Sequence, residues 1–181
     1  MELALDVDEP LCCFEHLDSL HKLESLKWSV VNPKLQVVVP AASAPIFPPG
    51  LKKLTLSEFG CPWEYMSTIA ELENLEVLKL QCYAFQGQVW DTKWFIFSKL
   101  IFLLIEDTDL EDWYVKNFQR FPSLERLIFR HCYKLKEIPK EIGDIKHLKM
   151  IELDDCNPSL CGFYKALGRQ SSPQEKASGS C

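Results

Sequence analysis

Histidine, cysteine and clustered carboxylates are the side chains through which this chain could hold a metal, attack a carbon or move a proton. Their spacing does not assemble a site. His16 and His21 lie five residues apart, which does not place them on one helical face, and no cysteine or carboxylate cluster completes a zinc set beside them. The eight cysteines stand at 12, 13, 61, 82, 132, 156, 161 and 181, with no C-x-x-C. That pattern reads as free, buried thiols in a reducing compartment. Cys156 and Cys161 could form a redox pair, but neither has a cationic neighbour in sequence to activate it. The runs Glu106-Asp107-Thr108-Asp109 and Asp154-Asp155 carry oxygen ligands for a hard cation and read better as solvated loop edges after strands. There is no G-x-x-x-x-G-K-[ST], G-x-G-x-x-G or H-E-x-x-H string, so nucleotide and metalloprotease chemistry have no motif here. No catalytic residue, cofactor site or metal site is expected.

Composition narrows the partners. The 181 residues, 47% hydrophobic and 25% charged, make one domain's worth of folding chain rather than a disordered one. A formal net charge of -6 lacks the positive footprint that phosphates demand, and Lys52-Lys53 is the sole adjacent basic pair. No run approaches the roughly 18 apolar residues of a spanning helix. The start of the chain carries Asp6, Asp8 and Glu9 and has no positive region of the kind a signal peptide needs. Pro158 spoils the near-sequon at Asn157. A cytoplasmic location is the expectation, with protein as the partner and neither nucleic acid nor a membrane span.

The elements that would position any site follow from leucine, the commonest residue, against only 7 glycines. Six hexapeptides align as L-x-x-L-x-L: LESLKW from Leu23, LKKLTL from Leu51, LEVLKL from Leu75, LIFLLI from Leu100, LERLIF from Leu124 and LKMIEL from Leu148. Their starts are 28, 24, 25, 24 and 24 residues apart, within the roughly 20–29 residues of a leucine-rich repeat. Three residues upstream stand Leu20, Pro48, Leu72, Phe97, Phe121 and Ile145. Six upstream stand Leu17, Pro45, Ile69, Trp94, Phe118 and Ile142. Apolar residues at every third or fourth position fit a helical or 3₁₀ segment, and alternation through the hexapeptide fits a strand. The expected fold is therefore α/β, a leucine-rich-repeat solenoid with a curved parallel sheet on its concave side and short helices, 3₁₀ turns and loops on its convex side. One such unit cannot bury its own apolar face, so neighbours must stack.

Cys132 and Cys156 sit eight residues past their first leucines, where such repeats place Asn or Cys. In other units that slot holds Thr108, Tyr83 and Phe59. The domain reading is an irregular segment or cut repeat over 1–16, about six repeats over 17–162, and a polar tail over 163–181. Proline at 33, 40, 45, 48 and 49 marks an extra convex-side loop in the first unit. The poor cap at 1–16 is what a solenoid entered part-way along would show. The loops are aromatic-rich: Trp94 fits the core phase, and Trp63, Tyr65, Trp90, Trp113 and Tyr114 read as convex-side padding in preference to anchors for a partner.

If the leucines point inward, alternation turns positions three, five and seven of each unit outward. These are Ser25, Lys27, Ser29; Lys53, Thr55, Ser57; Val77, Lys79, Gln81; Phe102, Leu104, Glu106; Arg126, Ile128, Arg130; and Met150, Glu152, Asp154. Stacking makes Glu106, Arg130 and Asp154 lateral neighbours. Val77, Phe102, Leu104, Ile128 and Met150 would form an exposed apolar cluster with a charged rim, which is a contact signature. Another protein and another part of the same polypeptide fit that cluster equally well. The candidate binding residues are Val77, Lys79, Phe102, Leu104, Glu106, Arg126, Ile128, Arg130, Met150, Glu152 and Asp154. On this reading, glutamate at 104 and 128 would leave the fold intact and abolish a contact.

The strings LENLEVLKLQCYAFQGQVW, FSKLIFLLIEDTDLEDW, FPSLERLIFRHCYKLKEIP and IGDIKHLKMIELDDC resemble the C-terminal leucine-rich repeats of plant disease-resistance proteins. The likeness is to the coiled-coil nucleotide-binding class of late-blight-resistance type, and it runs over roughly residues 15–160. The resemblance implies a non-catalytic recognition module in innate immunity. It would restrain a nucleotide-binding switch domain, in cis or in trans, and help to recognise a pathogen effector. ADP or ATP would enter only through that switch domain, because these 181 residues hold no nucleotide-binding motif. The alternative is an intracellular scaffold or adaptor of the same fold with no part in defence.

Overall fold

A computed structural model describes residues 2–5, 19–30 and 46–160 of the chain, with backbone alone for 2–5 and Val30. The strands are β1 (Glu2–Leu5), β2 (Ser25–Val30), β3 (Lys53–Ser57), β4 (Cys61–Pro62), β5 (Val77–Gln81), β6 (Phe85–Gln86), β7 (Val89–Asp91), β8 (Phe102–Glu106), β9 (Asp112–Tyr114), β10 (Arg126–Arg130) and β11 (Met150–Asp154). Among the described residues two short helices, α1 (Met66–Ala70) and α2 (Lys140–Gly143), accompany them, with 3₁₀ turns at Trp63–Tyr65, Phe118–Arg120 and Pro158–Leu160.

Each L-x-x-L-x-L string supplies one strand, and the strands line up in the order β1-β2-β3-β5-β8-β10-β11, every pair parallel. The register pairs equivalent positions without slippage: Leu54 faces Leu78, Leu78 faces Leu103, and Leu103 faces Leu127. A slip of one residue would turn every leucine to the wrong side, so the buried face holds the register. The protein is thus α/β, with a mostly parallel sheet and few helices. The outer ends of the expected domains (1, 6–18 and 161–181) and residues 31–45 of the expected proline-bearing segment 29–50 lie outside the described residues.

The inward side chains of the inner strands are almost wholly buried, among them Leu54, Leu56, Leu78, Leu80, Leu103, Ile105, Leu127 and Phe129 at 0–2% exposure. Behind them two smaller parallel ladders, β4–β6 and β7–β9, close the other side of the core. Trp63, Trp90 and Trp113 run through it as a stack. Trp63 and Trp90 are 4.9 Å apart, and Trp90 and Trp113 are 5.1 Å apart with planes only 5° from parallel. The stack reaches the main sheet through Trp113 and Phe129, 5.9 Å apart. Gly87, at φ 119°, holds one end of it. Its carbonyl accepts from Trp63 Nε1 at 2.8 Å and its N–H donates to the Asp109 carboxylate at 3.0 Å.

Strands β3, β5, β8, β10 and β11 each leave the sheet through a left-handed residue that is not glycine: Glu58, Cys82, Asp107, His131 and Asp155, with φ between 48° and 59°. The lateral ladder carries on past the corner, as Asp107 N–H donates to Arg130 O at 3.0 Å and His131 N–H to Asp154 O at 3.0 Å. These interunit bonds hold a conformation that costs an L-residue roughly 1–2 kcal/mol.

Several upstream positions depart from the helical phase. Ile69, Ile142, Phe97, Phe121 and Ile145 are buried, whereas Trp94 is 82% exposed, Phe118 39% and Leu20 38%. The expectation that Trp94 belongs to the core is therefore wrong. The backbone before Phe97 is the extended β7 and a turn rather than a helix, so Trp90 takes the inward place. In the slot after the strand, Cys132, Thr108 and Phe59 are buried but Tyr83 is 51% exposed. Its unit is the one of 25 residues. The extra residue is absorbed by a second left-handed position at Tyr83, and Ala84 turns inward instead.

Leu127→Ala is expected to cost about 2–5 kcal/mol, as for other fully buried leucines. Arg126→Ala, one residue away on the open face, should stay within about 1 kcal/mol, the worth of its contact with the Phe102 ring. Urea unfolding of both variants checks the pair. Equal, small shifts would show the register to be wrong.

Candidate protein-contact face

The side of the sheet away from the tryptophans carries three lateral rows. The first runs Ser25, Lys53, Val77, Phe102, Arg126, Met150. The second runs Lys27, Thr55, Lys79, Leu104, Ile128, Glu152, and the third Ser29, Ser57, Gln81, Glu106, Arg130, Asp154. All eleven sequence-derived candidates, from Val77 to Asp154, stand in these rows, because a parallel register keeps equivalent residues side by side.

Their exposure differs from the expectation. Leu104 and Ile128 are 5% and 4% exposed, not the heart of an open apolar patch. They face each other in the middle row, with Lys79 and Glu152 at its two sides and the longer side chains of the outer rows around them. Neighbours on the same face bury them, which a strand read alone does not reveal. Val77, Phe102 and Met150 are half-buried, so this face offers a covered apolar floor rather than a bare cluster.

The polar groups above that floor are arranged in pairs. Phe102 lies between two cations, with Lys79 Nζ 5.7 Å and Arg126 Cζ 5.4 Å from its ring centre. Such contacts contribute about 0.5–1 kcal/mol at exposed sites. Gln81 Nε2 donates to Glu106 Oε2 at 2.5 Å. Arg130 reaches Glu152 at 3.3 Å and Asp154 at 3.7 Å. The expected Glu106–Arg130–Asp154 adjacency is real, but the ion pairs form on the β11 side only. All three partners are partly exposed, which limits each pair to about 0–1 kcal/mol. Positive charge thus collects at Lys27, Lys53, Lys79 and Arg126, and negative charge at Glu106, Glu152 and Asp154.

At the end of the strands Tyr133 Oη donates to Asp155 Oδ2 at 2.6 Å, and His131 Nδ1 lies 3.3 Å from the same oxygen. These bonds hold the Asp155 carboxyl below its ordinary value, and the carboxylate pushes the Tyr133 phenol up to about 12. Among the described residues no three His, Cys, Asp or Glu side chains are grouped to hold a metal. Asp109, from one acidic run, is engaged by the Gly87 N–H. His21 is exposed, and His16 and Cys161 lie outside the described residues.

Sequence reasoning misses a second surface. Exposed Trp94 and Tyr114 line a groove of about 950 Å³ with Lys93, Lys116, Lys140 and Pro139. The aromatic content of these loops is the available signal. It does not separate Trp63, Trp90 and Trp113, which are buried, from Trp94 and Tyr114, which are not.

A mostly parallel sheet to which successive units add one strand each, with a charged and half-buried outer face, defines an α/β protein compatible with a repeat fold. No family model matches the chain. Among curated proteins it is 36% identical over 151 residues to a late blight resistance protein homolog of Solanum demissum, a match covering 82% of this chain. Two further late blight resistance protein homologs of the same plant are 35% identical over 163 residues and 42% identical over 122 residues, covering 87% and 66% of the chain. The likeness to late-blight-resistance proteins that its strings carry is thus met over most of its length. The chain itself spans only 12–16% of the length of these relatives.

Proposed function

We propose that this chain is a leucine-rich-repeat solenoid serving as a non-catalytic protein-recognition module in plant defence. The observation that carries this reading is the unbroken parallel register. A beat of 24–25 residues from Leu51 onward returns one strand per unit and sets Lys79, Phe102, Arg126 and Arg130 on one face. Late-blight-resistance homologues matched over most of the chain support the defence role.

The partner is a protein, with a nucleotide-binding switch domain and a pathogen effector as the two that the family resemblance names. Any ADP or ATP would belong to that switch domain, and the module would work in the cytoplasm. Mixed charge over an apolar floor favours partner orientation and encounter rate over raw affinity. A scaffold outside defence would use the same face for a different protein.

The test is a binding titration of the purified chain against a nucleotide-binding switch domain from a resistance protein of this type. Lys79→Glu with Arg126→Glu is expected to raise Kd at least tenfold. The melting temperature should move by less than about 8 °C, since each substitution forfeits at most about 1 kcal/mol of contact with the Phe102 ring. Binding unchanged by the reversal would remove the face from the reading. No binding by the native chain would favour the scaffold.

A further inference from the structure

Cys132 and Cys156 occupy the same slot in consecutive units, two residues past the paired Arg130 and Asp154. Two backbone bonds bracket them: His131 N–H to Asp154 O at 3.0 Å, and Asn157 N–H to Cys132 O at 3.3 Å. Residues facing across so continued a ladder have Cα atoms about 5 Å apart, inside the roughly 4.4–6.8 Å that a disulfide spans. The two thiols also point alike. Cys132 Sγ donates to Arg130 O at 3.2 Å and Cys156 Sγ to Asp154 O at 3.4 Å, each to the carbonyl two residues back. Both are free thiols. They differ in access, since Cys132 is fully buried and Cys156 is half-buried.

We propose that Cys156 is a peroxide-sensitive thiol and Cys132 its resolving partner, together closing a disulfide between the fifth and sixth units. The Cys156 sulfur, as thiolate, attacks one oxygen of hydrogen peroxide. The O–O bond breaks, the leaving hydroxide takes a proton to become water, and the sulfur is oxidised to a sulfenic acid. The Cys132 sulfur then attacks the Cys156 sulfur. An S–S bond forms, the S–O bond breaks, and the departing hydroxide takes the Cys132 proton as a second water. The sum is two thiols and one peroxide to one disulfide and two waters.

The asymmetry of the pair suits these roles. The neighbouring Cys132 holds the Cys156 thiol below its ordinary value, which favours its thiolate. The neighbouring Cys156 and burial push the Cys132 thiol up, so it stays protonated until the sulfenic acid is beside it. Cys61, raised to about 12 by burial alone, is the unreactive internal control.

The test treats the reduced full chain with a small excess of hydrogen peroxide at pH 7. Digestion with trypsin and chymotrypsin then separates Cys156 from Cys161 for mass spectrometry. The expected product joins the His131–Tyr133 peptide to the one bearing Cys156, with Cys61 still reduced. In Cys132→Ala, dimedone should label Cys156 as a sulfenic acid. The midpoint of iodoacetamide alkylation at Cys156 should also rise above its native pH. A bridge from Cys156 to any other cysteine, over-oxidation of Cys156 with Cys132 still free, or an unreacted Cys156 would each overturn the proposal.

Discussion

Trp90→Ala is expected to destabilise the chain by about 3–5 kcal/mol, the range for a fully buried aromatic truncated in a core. At about 2–4 °C per kcal/mol for a chain of this size, the melting temperature should fall by roughly 6–20 °C. Trp90 is wholly buried and packs face to face on both Trp63 and Trp113, with the Phe121 ring set edge-on at 6.2 Å between ring centres. Removing it opens a cavity between units that no single neighbour can refill. Its indole Nε1 has no hydrogen-bond partner among the described residues, so the loss is one of packing and Trp90→Phe should recover a large part of it. Trp94→Ala provides the control, because a side chain 82% exposed has little to lose. Thermal scans in which both alanine variants behave alike would show that the stack does not hold the units together.

The second large effect reverses an expectation drawn from the strand pattern alone. Leu104→Glu with Ile128→Glu would leave the fold intact if both side chains faced water, and at 5% and 4% exposure they do not. The pair of substitutions is expected to cost more than about 4 kcal/mol, since each places a carboxylate where water is excluded. The new groups face each other across β8 and β10, with Glu152 beyond and Glu106 two residues along the strand. Burial and like charge both favour the protonated form and outweigh the opposing pull of Lys79 beside position 104, so the folded-state pKa of the new glutamates would lie above the unfolded value of about 4.3. The sign follows. Their neutral forms are tolerated below that value, and stability is lost as pH rises through the raised one. Urea midpoints at pH 4.5 and 7.5 should therefore converge on and diverge from the native chain, respectively. A variant as stable as the native chain at pH 7.5 would restore the open-patch reading. Binding tests on this face accordingly belong to Lys79 and Arg126.

Much of the architecture is legible in the chain because leucine spacing reports directly on which side of a strand faces the core. The six strings predict β2, β3, β5, β8, β10 and β11, and the lateral rows of the contact face follow from them. Phase carried across irregular backbone is what fails. Counting back from Leu100 as though a helix intervened puts Trp94 in the core, and the extended β7 breaks that count. Counting forward from Leu75 puts Tyr83 in a slot that the 25-residue unit moves by one position. The cysteines show the same limit. Cys156 invites comparison with Cys161 nearby in sequence, whereas the stacking of units brings it to Cys132, 24 positions away.

Spacing and residue type were enough to set the period, the inward residues of each strand and the absence of a nucleotide-binding or metalloprotease motif, since all of these are local properties. Which aromatics are walls and which are core waited on the packed fold, as did the covering of Leu104 and Ile128. So did the meeting of particular ionic and thiol groups. Those outcomes depend on what the neighbouring unit places alongside. A single strand's alternation says which way a side chain points, but its burial is set by residues a full repeat before and after it.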